Sequence, residues 1–153
     1  MEQITPSDYL GEWPDAQVSR PAFSSWGDRG YGQVWLDSSN DWIYRHTHKI
    51  TDRMSELVDR FPNESGLRQR TLNQAARELL LSQASDWPFI IKNDTVVSYA
   101  RSRLRSHIGN FNRIYEDLRW NTINTKWLSK IERQNNLFKD INYRVFASSD
   151  GSE

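Results

Sequence analysis

Two tryptophans, one tyrosine and three glycines fall within the thirteen residues Ser24-Ser25-Trp26-Gly27-Asp28-Arg29-Gly30-Tyr31-Gly32-Gln33-Val34-Trp35-Leu36. Indole and phenol rings offer flat apolar faces with a polar edge, which suit the faces of sugar rings. Glycine has no Cβ, so the backbone can turn at positive φ and a ligand can come close. The chemistry on offer is stacking on a carbohydrate. The same residues also read as a surface turn leading into regular structure, with the aromatics as anchors. A second candidate is Asp86, which follows the apolar run Leu79-Leu80-Leu81 and precedes Trp87-Pro88. A carboxylate beside an indole can accept two hydroxyl hydrogen bonds from a sugar. It can equally be a cap or turn aspartate satisfied by nearby N–H groups.

Other chemistry finds little support. Cleavage of a glycosidic bond with retention needs two carboxylates roughly 5–5.5 Å apart. Asp28, Asp37, Asp41 and Asp86 qualify by type only, and their spacing singles out no pair. His46 and His48 are two apart on a predicted helix, so they point to different faces and do not chelate one metal. His107 is placed on the polar side of a later helix, as a structural or solvated histidine. No phosphate-binding glycine loop of Walker or Rossmann spacing occurs. No catalytic residue, metal site or cofactor is expected.

These residues must be held by a chain of 153 residues, enough for one domain with a core. Its 20 basic and 20 acidic side chains balance. That gives no footprint for nucleic acid and no polybasic face for a membrane. No run of about 18 apolar residues occurs to span a bilayer. Met1–Thr5 lacks the basic and apolar regions of a secretory signal. Cysteine is absent, which excludes disulfides and thiolate chemistry, and a cytoplasmic location is expected.

Residues 1–38 carry Pro6, Pro14, Pro21 and the glycines of the Trp26 segment, and sustain no helical period. A short helix is expected at Pro6, with Thr5 as its cap. From Asn40 the apolar residues Ile43, Ile50, Met54, Leu57 and Phe61, with Thr47, recur at steps of three and four. They define a helix ended by Pro62–Gly66. A second helix runs from Leu67 to Ala84. Pro88 is expected to break the chain at Trp87, leaving Phe89-Ile90-Ile91 as a short apolar run. A third helix follows from Val97, Ala100, Leu104, Ile108, Phe111, Tyr115 and Leu118, with Asp94 or Thr95 as cap and a solvated arginine face. The last covers Thr125–Phe138, with Trp127, Ile131 and Phe138 inward, and Asp140–Phe146 docks as an extended tail. The expected fold is mainly α. An irregular aromatic, Gly/Pro-rich arm (1–38) precedes an antiparallel bundle of about four helices (39–146) and a disordered tail (147–153).

Several stretches resemble the C-terminal part of the glycoside hydrolase family 57 1,4-alpha-glucan branching enzymes. They are Ile4–Leu10, Ser24–Gly27 with Val34–Leu36, Asn40–His46, Ala76–Phe89 and Asp140–Phe146, which fall in family order and cover nearly the whole chain. The resemblance implies an α-glucan ligand and an N-terminal catalytic barrel as partner within the same enzyme. That barrel would carry the nucleophile and the acid/base, and neither has a counterpart here. The resemblance also implies that Trp26 and Trp35 line the glucan cleft and that Asp86 binds substrate. One departure is Gly32, where the family often has a larger residue, so one sugar platform is missing. Two other readings stay open: a stand-alone glucan-binding module, and a structural or interaction domain without ligand, whose aromatic arm is the apolar face left bare when the barrel is absent.

Overall fold

The computed structural model describes residues 3–147. The expected disordered tail lies outside the described residues except for Ala147. Helix α1 spans Pro6–Glu12, and the Thr5 hydroxyl accepts from the Asp8 N–H at 3.2 Å, with Pro6 inside the first turn. It buries nothing, and every residue from Gln3 to Ser24 is exposed. The arm then folds back through the turns of the Trp26 segment into α2, Trp42–Arg60. The predicted stripe of α2 is the observed one: Ile43, Thr47, Ile50, Met54 and Leu57 are buried, joined by Val58.

Helix α3 spans Gly66–Ser82 and packs chiefly against α5, Val97–Trp120. Their facing residues Leu72, Ala75, Ala76, Leu79, Phe111 and Ile114 form the main core with α2 and with Leu128 and Ile131 of α6, Thr125–Gln134. Asn124 caps α6 by accepting from the Trp127 N–H at 2.9 Å. The chain closes on a 3-10 turn, Tyr143–Phe146. Tyr143 is buried, donates to the Phe61 carbonyl at 2.6 Å and accepts from the Glu64 N–H at 3.1 Å, which fastens the chain end across the α2–α3 turn.

The architecture is the expected helical bundle behind an aromatic arm, but four local readings are corrected. Asp86-Trp87-Pro88 opens a helix, α4, Asp86–Lys92, which takes in the short apolar run Phe89-Ile90-Ile91 expected to follow a break. Pro88 stands in the first turn, where its missing N–H would have had no intrahelical partner. The steric cost at Trp87 is offset by its indole N–H, which donates to the Leu81 carbonyl at 2.8 Å, and by packing beside Ile91 and Leu104. Neither Asp94 nor Thr95 caps α5. Asp94 takes a left-handed conformation (φ 52) to end α4, and Val96 precedes α5 with no side-chain cap. Helix α6 stops at Gln134, and Phe138 is exposed with φ 54.

The last correction concerns polarity. His107 is 1% exposed, not on the polar side. Its Nδ1 lies 2.7 Å from Oε2 of the fully buried Glu78, and its Nε2 lies 3.3 Å from the Arg103 guanidinium. A guanidinium only donates, so Nε2 accepts and the Nδ1 hydrogen points at Glu78. Glu78 Oε1 accepts from Gln74 at 2.7 Å and from Asn135 at 2.8 Å. Arg77 donates to Gln74 and to the Leu137 carbonyl, the latter at 2.6 Å. Arg103 thus leaves the solvated arginine face and joins a satisfied interior network. Arg113 lies with its guanidinium 3.9 Å over the Trp127 ring.

Candidate functional site: an aromatic cleft between the arm and helix α4

The glycines of the arm act through the backbone. Gly27, Gly30 and Gly32 have φ of 85, 85 and 86 degrees, a region side chains rarely enter. The Ser25 N–H donates to the Gly30 carbonyl and the Ser25 hydroxyl accepts from the Gly32 N–H, both at 2.6 Å. The Trp35 and Leu36 N–H groups donate back to the Gly32 carbonyl at 3.0 and 2.8 Å. A Cβ on Gly27 would meet Val34 Cγ2 at 2.9 Å, so this turn closes onto a buried valine only with glycine present.

These turns bring Trp26 and Trp35 together, with ring centroids 6.2 Å apart at 61 degrees. Trp26 also packs against Phe89 of α4, at 5.8 Å and 33 degrees. Phe89 is absent from the sequence-based site. Its signal was available, because Asp86 and Phe89 are three apart and share a side once α4 is helical. Asp86 is exposed at the first position of α4, where a carboxylate also complements the helix dipole. Despite its neighbours, Trp26 is 71% exposed, so a large part of the indole faces open space. Trp35 is half-buried, and the Tyr44 hydroxyl donates to its carbonyl. Burial pushes the Tyr44 phenol above its ordinary value.

Asn40 joins the arm to the bundle and was missed from sequence. It is fully buried, and its amide donates to the Val34 carbonyl at 3.0 Å and to the Pro88 carbonyl at 3.1 Å. Its Oδ1 accepts from the Asp37 N–H at 2.8 Å. Beside it, the Lys92 ammonium lies 2.7 Å from the Asp37 carboxylate. Hydrogen bonds from Lys92, then from the Ser39 N–H and hydroxyl, lower the Asp37 pKa to about 2. Asp37 is thus a structural anchor. Asp28 sits exposed at positive φ, and Asp41 precedes α2 without capping it.

A recess of about 250 Å³ opens beside Trp35, lined by Tyr44, Thr47, His48, Gln83, Ser85 and their neighbours. His46 lies edge-on to Trp42, while His48 sits by Tyr44, so the two imidazoles part as expected. Among the described residues, no group of three or more histidines and carboxylates is placed to hold a metal ion, and no helix is long and apolar enough to cross a membrane.

Residues 46–146 match the family of the C-terminal domain of 1,4-alpha-glucan branching enzymes. The chain is 29% identical over 150 residues to the 1,4-alpha-glucan branching enzyme TK1436 of Thermococcus kodakarensis, covering 95% of this chain and 22% of that protein. The crystal structure of TK1436, a GH57 branching enzyme, in complex with glucose and additives superposes with a TM-score of 0.86 at 30% identity, over 99% of this chain and 28% of that one. The crystal structure of the alpha-amylase AmyC from Thermotoga maritima gives a TM-score of 0.75 at 38% identity, over 94% and 26%. The chain therefore spans between about a fifth and a third of the length of these relatives.

Proposed function

Since this chain belongs to the family of C-terminal domains of 1,4-alpha-glucan branching enzymes, we propose that it forms one wall of an α-glucan cleft in such an enzyme. Trp26 stacks on a glucosyl ring, Trp35 supplies a second face, and Asp86 accepts hydroxyl hydrogen bonds at the N-terminal end of α4. The observation that carries this reading is the Trp26 indole, held against Phe89 and Trp35 yet 71% exposed. An indole used only for packing would bury more of its surface.

The role is positioning. An N-terminal catalytic barrel of the same enzyme supplies the carboxylates that cut the α-1,4 bond and pass the fragment to an α-1,6 linkage. Holding a glucan in register on one wall lowers the entropy cost of that step. The bare arm supports the barrel as partner: Tyr9 and Leu10, on a helix that buries nothing, and Trp13 just after it are more than half exposed.

The test is an indole and amide NMR titration with maltoheptaose. Shifts at the Trp26 indole and along Asp86–Phe89, lost in Trp26→Ala, are expected. Shifts scattered over the bundle, or none up to several tens of millimolar sugar, would refute the reading.

A further inference from the structure

We infer that the glucan-contacting surface does not stop at Trp26 but continues past Trp35 into a second groove between the arm and α2, which holds further glucosyl units of the same chain. This rests on the α-glucan reading above. Trp35, Tyr44 and His48 line two recesses at once. One is the recess of about 250 Å³ that reaches Ser85, the residue before Asp86. The other, of about 450 Å³, extends along the arm to Phe23, Tyr31 and Leu36. The shared walls make them one groove, continuous with the tryptophan cluster. Its size falls in the range of small-molecule sites, roughly 300–1,000 Å³.

The lining decides the chemistry of the occupant. Charged residues make up 26% of the sequence, yet among the described residues none lines either recess. A phosphorylated ligand, a nucleic acid or an acidic or basic peptide would leave its charge unanswered there. The part near α3 offers polar groups from Gln83 and Ser85, and the part along the arm offers the rings of Phe23 and Tyr31. A neutral chain with hydroxyl edges and CH faces meets both. Tyr31 is 67% exposed, so a glucosyl ring can reach it. The Tyr44 hydroxyl, bonded to the Trp35 carbonyl, fixes a ring that lines both recesses.

The experiment compares maltotriose and maltoheptaose binding to the unaltered chain, Tyr31→Ala, His48→Ala and Trp26→Ala by NMR titration. The unaltered chain is expected to bind maltoheptaose more tightly than maltotriose. Tyr31→Ala and His48→Ala are expected to weaken maltoheptaose roughly three- to tenfold and leave maltotriose unchanged. Trp26→Ala weakens both sugars. Equal affinity of Tyr31→Ala and His48→Ala with the unaltered chain for maltoheptaose would overturn the groove while the Trp26 site stands. Equal weakening of both sugars would also overturn it, because the substitutions would then act through the arm as a whole. No binding of either sugar by the unaltered chain would remove the groove and the α-glucan reading together.

Discussion

Asn40→Ala should release the aromatic arm from the bundle without unfolding the bundle. The amide of the fully buried Asn40 makes three hydrogen bonds, to the Val34 and Pro88 carbonyls and from the Asp37 N–H, all within 3.1 Å. At about 1 kcal/mol net for each, the loss is roughly 3 kcal/mol. The bundle core shares none of these bonds, since it is built from α2, α3, α5, α6 and the chain end. The cost therefore falls on a local opening of the arm, not on the global unfolding transition. Amide hydrogen exchange reads this directly. The Trp35 and Leu36 N–H groups, both bonded to the Gly32 carbonyl, should exchange ~100-fold faster in the variant, as about 1.4 kcal/mol is tenfold. The core amides around Leu79 and Phe111 should keep their protection. Maltoheptaose shifts at Trp26 should weaken in parallel. Unchanged exchange at Trp35 and Leu36 would refute the reasoning, because the arm would then be held by something other than Asn40.

Gly27→Ala should loosen the same turn by about 1–2 kcal/mol, from positive φ together with the Val34 contact, whereas Gly30→Ala meets only the Ser25 carbonyl at an ordinary 3.6 Å and should cost less; exchange at Gly32 ranks the two. Acidification should loosen the arm modestly between about pH 4 and pH 2, with the Asn40 hydrogen bonds still in place. The folded pKa of Asp37 is depressed to about 2 from 3.8, so its contribution is complete above the unfolded value and is lost as pH falls through the folded one. Exchange measured against pH should show that window in the unaltered chain and lack it in Asp37→Asn. Glu78→Leu should destabilise the whole bundle by roughly 3–5 kcal/mol, since His107, Gln74 and Asn135 each lose a buried acceptor. A urea midpoint shifted by less than 1 kcal/mol equivalent would contradict that role.

What the sequence disclosed depended on the range of the interaction. The stripes of α2 and α5 were legible because helical spacing alone decides which residues turn inward. Helix α4 was not, because the rule that proline ends a helix was applied where proline belongs to a first turn. His107 was misplaced although it lies three residues after Leu104 and four before Phe111, squarely on the buried stripe. A polar side chain on that stripe needs an interior partner, and its partner Glu78 is 29 residues away in sequence. The cleft was half legible. Trp26 and Trp35 stood out by type, and Asp86 by its neighbours. Phe89 and Asn40 depend on the arm folding back over α4, a contact between residues 48 apart for Asn40 and Pro88. No local pattern encodes it.

The Glu78 network also bears on how the helices can slide. An interior of leucine and alanine alone tolerates shifts of one helix along another, since one apolar ridge replaces the next at little cost. Glu78 on α3 must meet His107 on α5 and Asn135 just beyond α6 at the same time. Sliding α3 by one turn, about 5.4 Å, would leave the carboxylate only its own helix neighbour Gln74 as donor, and sliding α5 would remove His107. The three helices therefore share one axial register. Helix α4 hangs between α3 and α5, with Trp87 close to the His107 ring at 6.4 Å. The height at which Phe89 meets Trp26 of the arm is thus tied to a polar contact in the middle of the bundle.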